Sequence, residues 1–122
     1  KYPEVKGILG TSSFDAPGTA RAIDELGLKG SVFTAGTGMP AANAQILKDG
    51  SVSALTLWDP ADAGYALASL ATKILKGEKI EDGVDLGVEG YENMHFAPGS
   101  NKVLEGNGWL KITKDNVDSL GF

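Results

Sequence analysis

Side chains able to recognise a small molecule are grouped in three short segments, each of which follows an apolar run. The segments are residues 11–15 (TSSFD), residues 36–40 (GTGMP) and the pair Trp58-Asp59. Together they supply hydroxyls, main-chain N–H groups at helix starts, an indole and a carboxylate. This combination suits a neutral polyhydroxylated ligand, because hydroxyls pair with polar groups and an aromatic ring covers the apolar face of a sugar. Ser, Thr and Asp before a helix are also common N-caps, so capping explains each of them as well.

The second segment also matches a dinucleotide-binding fingerprint. The pattern Gly36-x-Gly38-x-x-Ala41 follows a predicted strand and opens a predicted helix, and Asp59 follows at about the spacing of a ribose-binding acid. However, Pro40 disfavours helical geometry at the preceding residue, which would alter the tight glycine turn. A small nucleotide-binding enzyme domain that uses Gly36, Gly38 and Asp59 is therefore the alternative interpretation.

Residues that carry catalysis or bind metals are scarce. The sequence has no cysteine, which rules out disulfides, thiolate metal sites and cysteine nucleophiles. Its single histidine, His95, excludes multi-histidine metal sites, and between Met94 and Phe96 it is expected to be a packed or surface residue. Asp59 and Asp62 share one predicted helix start, where acidic residues complement the helix dipole. We therefore expect a protein that is not an enzyme, with no catalytic residue, metal or cofactor.

Composition narrows the possible partners. The 122 residues are 42% hydrophobic and 22% charged, with a net charge of -5, which is typical of one globular domain. No basic cluster is present, so we expect no binding to nucleic acid. No apolar run approaches the ~20 residues that span a bilayer, so we expect no membrane insertion. Because the sequence opens at Lys1, without methionine or signal peptide, we expect a mature product or a fragment.

The elements that must position these segments form three βα units. Strands are predicted at residues 5–10, 31–35 and 52–58, the first of them buried, and each is followed by a helix. The first helix is predicted to start at Pro17 with Ala20, Ile23 and Leu26 on its inner face. Glycines are expected to end the helices, at Gly27, Gly50 and Gly77. Strand–helix alternation with short apolar strands predicts the α/β class, a parallel sheet with flanking helices.

The third helix has the clearest start in the chain. Asp59 is predicted to be its N-cap and Pro60 its first residue, with Asp62 in the first turn. Lys73 and Lys76 fall in the last turn. The helix carries a stripe of apolar residues at helical spacing: Ala63, Leu67, Leu70, Ala71, Ile74 and Leu75.

The remainder of the chain is less regular. Residues 83–90 alternate glycine with apolar residues and predict an irregular strand, and residues 91–101 predict a loop. Two short strands, residues 103–104 and 109–112, are predicted around a turn at residues 106–108. Residues 114–120 predict one helical turn.

An ordered set of motifs along the whole chain resembles a known family. The motifs are YPEVKGI at residues 2–8, LKDGSV at 47–52, LWDP at 57–60 with Gly64-Tyr65, ILKGE at 74–78, and a tail running from GNG at 106–108 through KDN at 114–116 to Phe122. They resemble the periplasmic sugar-binding proteins of ABC transporters, and within them the rhamnose- and autoinducer-2-binding (Lsr-type) branch. The resemblance covers the C-terminal part, somewhat over a third, of such a receptor.

The resemblance implies part of a two-lobed type 1 periplasmic binding protein. In that family two α/β lobes are joined by a three-stranded hinge and hold the ligand in the cleft between them. Residues 1–59 would then be part of the C-terminal lobe, residues 60–92 a segment that packs on the N-terminal lobe, and residues 93–122 the hinge return and the C-terminal tail.

The resemblance also implies a set of ligand contacts. The turn at Ser12 and Ser13 matches one that carries an acidic ligand contact in the autoinducer-2 receptors. The turn at residues 40–42 matches one whose backbone groups contact the ligand. With the aromatic and acidic pair of the third segment, the expected ligand-binding residues are Ser12, Ser13, Pro40, Ala42, Trp58 and Asp59.

The implied activity is capture of a sugar or an autoinducer-2-like molecule for an ABC importer, by hinge closure around the ligand. The expected partners are the ABC permease and the remaining N-terminal part of the receptor. The expected location is the periplasm, or the outer surface as a lipid-anchored protein in a Gram-positive source. Because Leu67, Leu70, Ile74 and Leu75 would lack the other lobe, the isolated fragment is expected to self-associate.

Overall fold

The computed structural model describes residues 2–122 and divides them into two compact units. The first unit comprises residues 2–57 together with Leu110–Phe122, and the second unit is Trp58–Trp109. The chain therefore leaves the first unit once and returns to it once. Assignment of residues 1–59, 60–92 and 93–122 to particular lobes of a receptor stays a prediction.

The first unit contains the predicted alternation of strands and helices. Its strands are β1 (Gly7–Leu9), β2 (Phe33–Thr37), β3 (Ala54–Trp58) and, late in the chain, β6 (Trp109–Ile112), and its helices are α1 (Asp15–Glu25) and α2 (Pro40–Lys48). The sheet order is β1-β2-β3-β6, and β1, β2 and β3 are parallel, with Ile8 opposite Thr34 and Ala35 opposite Ala54. The predicted α/β class with parallel strands and flanking helices is confirmed.

The core of the first unit brings both helices and the returning tail together. Leu55 of β3 and Leu47 of α2 are almost completely buried. The buried apolar cluster consists of Ala16, Ala20, Leu47, Val52, Leu55, Leu57, Ile112 and Val117.

Four predictions about the first unit are wrong in detail. Helix α1 starts at Asp15, two residues before Pro17, because proline is tolerated in a first helical turn, where its missing N–H costs no helical bond. Leu26 follows the helix as its C-cap and is 71% exposed. Strand β1 is exposed along its length because it is the edge strand of the sheet formed by the described residues. Strand β2 begins only at Phe33, since residues 28–32 form a turn in which Leu28 accepts the N–H groups of Ser31 and Val32.

The second unit begins with α3 (Pro60–Leu75), whose predicted start is confirmed. The Asp59 carboxylate accepts a hydrogen bond from Ala61 N at 2.7 Å, and Pro60 is the first helical residue.

The predicted glycine ends of all three helices are also confirmed, because Gly27, Gly50 and Gly77 all have positive φ. Ala66 is the buried residue of α3, whereas Leu67, Ile74 and Leu75 of the apolar stripe are 57–88% exposed.

Residues 77–109 differ most from expectation. The strand predicted at residues 83–90 is wrong: these residues form turns, with one isolated bridge between Val84 and Met94. The loop predicted at residues 91–101 contains β4 (His95–Phe96), which pairs antiparallel with β5 (Leu104–Glu105). The two late strands therefore do not pair with each other, since β6 lies next to β3.

The second unit has a small core of Ala66, Leu86 and Met94. The helical turn predicted for residues 114–120 is a 3₁₀ turn at Val117–Ser119 and belongs to the first unit. Within residues 2–122, no helix combines the length and apolar character needed to cross a membrane.

Candidate functional site

The candidate site lies where β1, β2 and β3 end. Because these strands are parallel, their carboxyl ends at Leu9, Thr37 and Trp58 lie along the same edge of the sheet. Open parallel sheets bind ligands outside this edge. The three segments singled out in the sequence lie at or just after these three residues.

The first segment is a tight loop organised by Asp15. The Asp15 Oδ2 atom accepts hydrogen bonds from Thr11 N at 3.0 Å and Ser12 N at 2.9 Å. The Ser12 hydroxyl in turn accepts a bond from Phe14 N at 3.3 Å. The side chains of Ser12 and Ser13 are exposed, so both hydroxyls remain available as donors. Sequence reasoning missed the organising role of Asp15, although an acidic residue shortly after Ser and Thr at a helix start is a recognisable signal.

Close backbone packing fixes this loop against β2. Gly10 N donates to Ala35 O at 3.0 Å. A Cβ atom at Gly36 would lie 2.9 Å from the Gly10 carbonyl oxygen, closer than side-chain carbons approach backbone oxygens. The close approach of the loop is therefore enough to explain glycine at position 36, and no bound cofactor is needed to explain it.

The second segment delivers the first turn of α2. Met39 is extended, with φ -67° and ψ 132°, as the following proline demands, and Pro40 is the first helical residue. Asn43 is buried and donates from Nδ2 to Met39 O at 2.9 Å, while a Cβ atom at Gly38 would lie 2.9 Å from that nitrogen. The turn is thus held from inside by Asn43, a residue that the sequence analysis did not single out.

The first-turn N–H groups of α2 differ in what they bind. Pro40 has no N–H, and Ala41 N donates to Phe122 O at 3.3 Å. Ala42 is exposed, and its N–H is one of the first-turn donors that have no acceptor within the helix. A ligand oxygen at this edge would therefore meet the Ala42 N–H, where the positive end of the helix dipole favours an acceptor.

The third segment ends β3 and opens the second unit. The indole of Trp58 is 43% exposed and contacts Trp109 edge to face, with ring centroids 5.4 Å apart and an interplanar angle of 86°. The two indoles line a recess in the surface of the second unit. Its other lining residues are Tyr91, Met94, Leu104, Gly106 and Gly108. Asp59 uses Oδ1 to cap α3, which is the capping role that the sequence predicts for it.

The structure thus places Ser12 and Ser13 in the loop after β1, and Pro40 and Ala42 in the first turn of α2, which follows the adjacent strand β2. Trp58 and Asp59 stand at the end of the third strand, at the start of the second unit. That any of these six residues contacts a ligand stays a prediction.

His95 is part of a separate polar group on the second unit. Its Nδ1 atom lies 2.9 Å from Asp82 Oδ2, and its Nε2 atom lies 2.9 Å from Asn93 Nδ2. Asp82 also accepts Phe96 N at 2.8 Å. The hydrogen bond with His95 and then the bond from Phe96 N hold the pKa of Asp82 below its usual value. Among residues 2–122, no three acidic or histidine side chains are grouped as metal ligands.

Comparison with known families decides where this arrangement belongs. Residues 1–79, more than half of the chain, match the family described as "Periplasmic binding protein domain". The chain belongs to this family. The match includes all three segments at the carboxyl edge of the sheet, together with α3.

Three solved structures have a fold similar to that of this chain. A sugar ABC transporter protein from Actinomyces odontolyticus is 29% identical, with a TM-score of 0.77 over 99% of this chain and 38% of that one. LsrB from Clostridium saccharobutylicum, solved in complex with AI-2, is 22% identical, with a TM-score of 0.68 over 99% of this chain and 41% of that one. GanP from Geobacillus stearothermophilus, a glucose-galactose binding protein, is 18% identical, with a TM-score of 0.68 over 94% of this chain and 34% of that one.

These comparisons confirm the family and the fold class expected from the motifs. This member of the periplasmic binding protein family spans 34–41% of the length of the three solved structures. The part of the family fold that this chain contains has a sheet with parallel strands and flanking helices.

Proposed function

We propose that this chain is the C-terminal portion of a solute-binding protein that captures a sugar or sugar-like molecule for an ABC importer. The observation that carries the proposal is the family match over residues 1–79, which includes the exposed serines and the exposed Ala42 in the first turn of α2, at the carboxyl edge of one sheet. The protein from Actinomyces odontolyticus, which is described as a sugar ABC transporter, supports the same class of solute.

Each candidate residue has a specific role in this proposal. The hydroxyls of Ser12 and Ser13 donate to ligand oxygens, and the Ala42 N–H binds a ligand oxygen at the start of α2. Pro40 keeps that turn in place through its fixed φ. The Trp58 indole covers the apolar face of a sugar ring, and Asp59 accepts a ligand hydroxyl through Oδ2, which the helix cap leaves unused.

The proposed ligand would be held by two walls, of which the loops after β1 and β2 form one. The remaining N-terminal part of the receptor supplies the other wall, and closure of the two lobes presents a surface to the ABC permease. The family description points to an extracytoplasmic protein. We infer a periplasmic location, or a lipid-anchored one on the outer surface of a Gram-positive cell. The protein binds and releases its ligand without chemical change and needs no cofactor.

The proposal is tested by titration calorimetry on the full-length receptor with L-rhamnose, D-ribose, D-galactose, autoinducer-2 and, as the nucleotide alternative, NAD. Saturable binding of one or more of the first four solutes, without binding of NAD, is the expected result. Binding of NAD alone would replace the proposal with the nucleotide-binding alternative.

Tryptophan fluorescence then tests the placement of the site. Because both indoles contribute signal, the measurement is made in a Trp109→Phe background, in which Trp58 is the remaining indole of this chain. Ligand-dependent quenching is expected, and it should disappear after Trp58→Phe. Quenching that persists without Trp58 would come from the rest of the receptor and would remove Trp58 from the site.

A further inference from the structure

The end of the chain is fastened to both ends of α2. We name residues 113–122 the C-terminal strap. Near the last turn of the helix, Lys48 Nζ forms an ion pair with Asp118 Oδ1 at 2.6 Å. At the first turn, Ala41 N donates to Phe122 O at 3.3 Å. The strap therefore runs along the length of α2 and ends at the turn that carries the exposed Ala42 N–H.

Hydrogen bonds of Asn116 fix the conformation of the strap. Asn116 Oδ1 accepts Thr113 N at 2.8 Å, and Asn116 Nδ2 donates to Lys111 O on β6 at 2.9 Å. The Asn116 carbonyl oxygen accepts both the N–H and the hydroxyl of Ser119, at 3.0 and 2.7 Å. The Asn116 side chain thus holds the start of the strap to the sheet, and the Asn116 carbonyl oxygen supports the 3₁₀ turn that follows.

Apolar contacts attach the strap to the same cluster as α2. Val117 is 3% exposed and belongs to the buried cluster that includes Leu47 of α2. Leu120 and Phe122 are partly buried against that cluster, as is Ala44. Because side chains of the strap and of α2 share one close-packed cluster, a change in the strap is transmitted to the helix.

The position of the strap matters for the amides at the start of α2. Helix first turns offer N–H groups that have no helical acceptor, and such ends fray unless they are held. Here Phe122 O binds one of these donors, the Ala41 N–H, and so holds the turn next to the exposed residue Ala42.

We propose that the C-terminal strap positions the first turn of α2 and thereby sets the affinity of the site at the carboxyl edge of the sheet. Phe122 and Asn116 act as positioning residues, since neither is among the ligand contacts proposed above. The part that concerns ligand affinity rests on the proposed function, whereas the part that concerns α2 does not.

Hydrogen exchange measured by NMR on the ligand-free full-length receptor tests the effect on α2. Phe122→Ala and Asn116→Ala are expected to speed exchange of the hydrogen-bonded amides within residues 41–44, those of Ala41, Asn43 and Ala44, by about tenfold, because opening of this turn becomes easier. Phe122→Leu, which keeps an apolar anchor, should restore most of the protection. Asp118→Asn should change exchange by less than about twofold, since exposed ion pairs contribute little.

A matched control separates positioning from general loss of stability. Ile23 is buried on α1 and is not a member of the cluster that holds the strap, so Ile23→Ala lowers the melting temperature through a different part of the first unit. All variants are measured at a temperature at which each is fully folded. Exchange at residues 41–44 that rises as much in Ile23→Ala as in Phe122→Ala would overturn the proposal.

The dissociation constants for L-rhamnose and autoinducer-2, measured in the same variants, test the ligand part. For whichever solute binds the unmodified receptor, Phe122→Ala should weaken binding by about tenfold, and Ile23→Ala should leave it within about twofold. Unchanged affinity together with faster exchange would overturn the affinity part alone. If neither solute nor any other sugar of the panel binds the unmodified receptor, the proposed function fails, and the exchange result still decides the role of the strap.

Discussion

The two units of the molecule are built by different means. The first unit stacks parallel strands against helices, and its buried cluster draws residues from α1, α2, β3, β6 and the strap. After α3, the second unit consists mainly of turns and two-residue strands around the small core of Ala66, Leu86 and Met94. The first unit depends on shared apolar burial, whereas the second depends to a larger extent on local hydrogen bonds and on glycine.

The turns of the second unit illustrate this dependence. Asp85 Oδ1 accepts Gly87 N at 2.6 Å, and Glu92 Oε2 accepts Gly90 N at 2.8 Å, and both glycines have positive φ. Carboxylates that bind backbone N–H groups two residues away replace the ladder bonds of a strand. Such turns hold their shape with little apolar burial, which makes the second unit more sensitive to backbone changes than to loss of core volume.

The largest effect is expected from the core of the first unit. Leu55→Ala should lower the free energy of unfolding by about 2–5 kcal/mol, because Leu55 is completely buried and its neighbours cannot close the cavity. Leu86→Ala in the second unit should cost less, since the half-buried residues around it can move inward. Urea denaturation of the full-length protein measures both changes. A larger loss for Leu86→Ala would reverse the comparison between the units.

The next largest effect is expected at a glycine of the second unit. A Cβ atom at Gly106 would collide with Met94 Sδ and lie 2.9 Å from Gly90 O, so Gly106→Ala should cost about 1–3 kcal/mol of unfolding free energy. Gly64→Ala is the matched control, because Gly64 lies inside α3 with no atom within 4 Å of the added carbon. It should stabilise the protein by about 0.5–1 kcal/mol. Equal effects at the two glycines would show that backbone packing at Gly106 is loose.

A smaller effect is expected at the start of α3, the regular part of the second unit. Asp59→Ala removes the acceptor of Ala61 N and should cost about 0.5–2 kcal/mol of unfolding free energy. Asp59→Asn should be nearly neutral, because asparagine caps helices as well as aspartate does. Thermal unfolding monitored by circular dichroism checks both. An alanine variant that melts at the temperature of the parent would show that the cap contributes nothing.

The smallest effect concerns pH and the group around His95. The pKa of Asp82 is lowered, first by the hydrogen bond with His95 and then by the bond from Phe96 N, so folding favours the ionised carboxylate. A lowered pKa contributes stability that is complete above about pH 4 and is lost as the pH falls through the lowered value. Asp82→Asn should therefore flatten the fall in melting temperature below pH 4.

Glu89→Gln, a change at another exposed carboxylate of the second unit, is the control for this measurement. Its profile should follow that of the parent below pH 4. If Asp82→Asn also leaves the profile unchanged, the hydrogen bonds at Asp82 carry no net stabilisation.

The sequence predicted the first unit and the start of α3 better than it predicted the remainder of the second unit. The start of α3 was predicted from Asp59 and Pro60, and the helix ends from Gly27 and Gly77, because caps are contacts between residues close in sequence. The irregular strand at residues 83–90 was wrong, because alternation of glycine and apolar residues does not show whether a partner strand exists. In the candidate site, the segment that carries Ser12 and Ser13 was selected from the sequence, while the roles of Asp15 and Asn43 were missed, since both act through the backbone of other residues.

By itself, the amino-acid sequence determined the order of strands and helices through α3, most helix ends and the family, because periodicity, caps and ordered motifs are properties of neighbouring residues. Only the tertiary structure decided that β5 pairs with β4 and β6 with β3, that β1 is an exposed edge, and that Leu26 faces solvent. It also brought Phe122, the last residue of the sequence, to Ala41, which lies in the first half of it. Strand pairing and exposure depend on which surfaces, far apart in sequence, bury apolar area against each other. The free energy of that burial is shared among distant residues, so no short stretch of the sequence shows it.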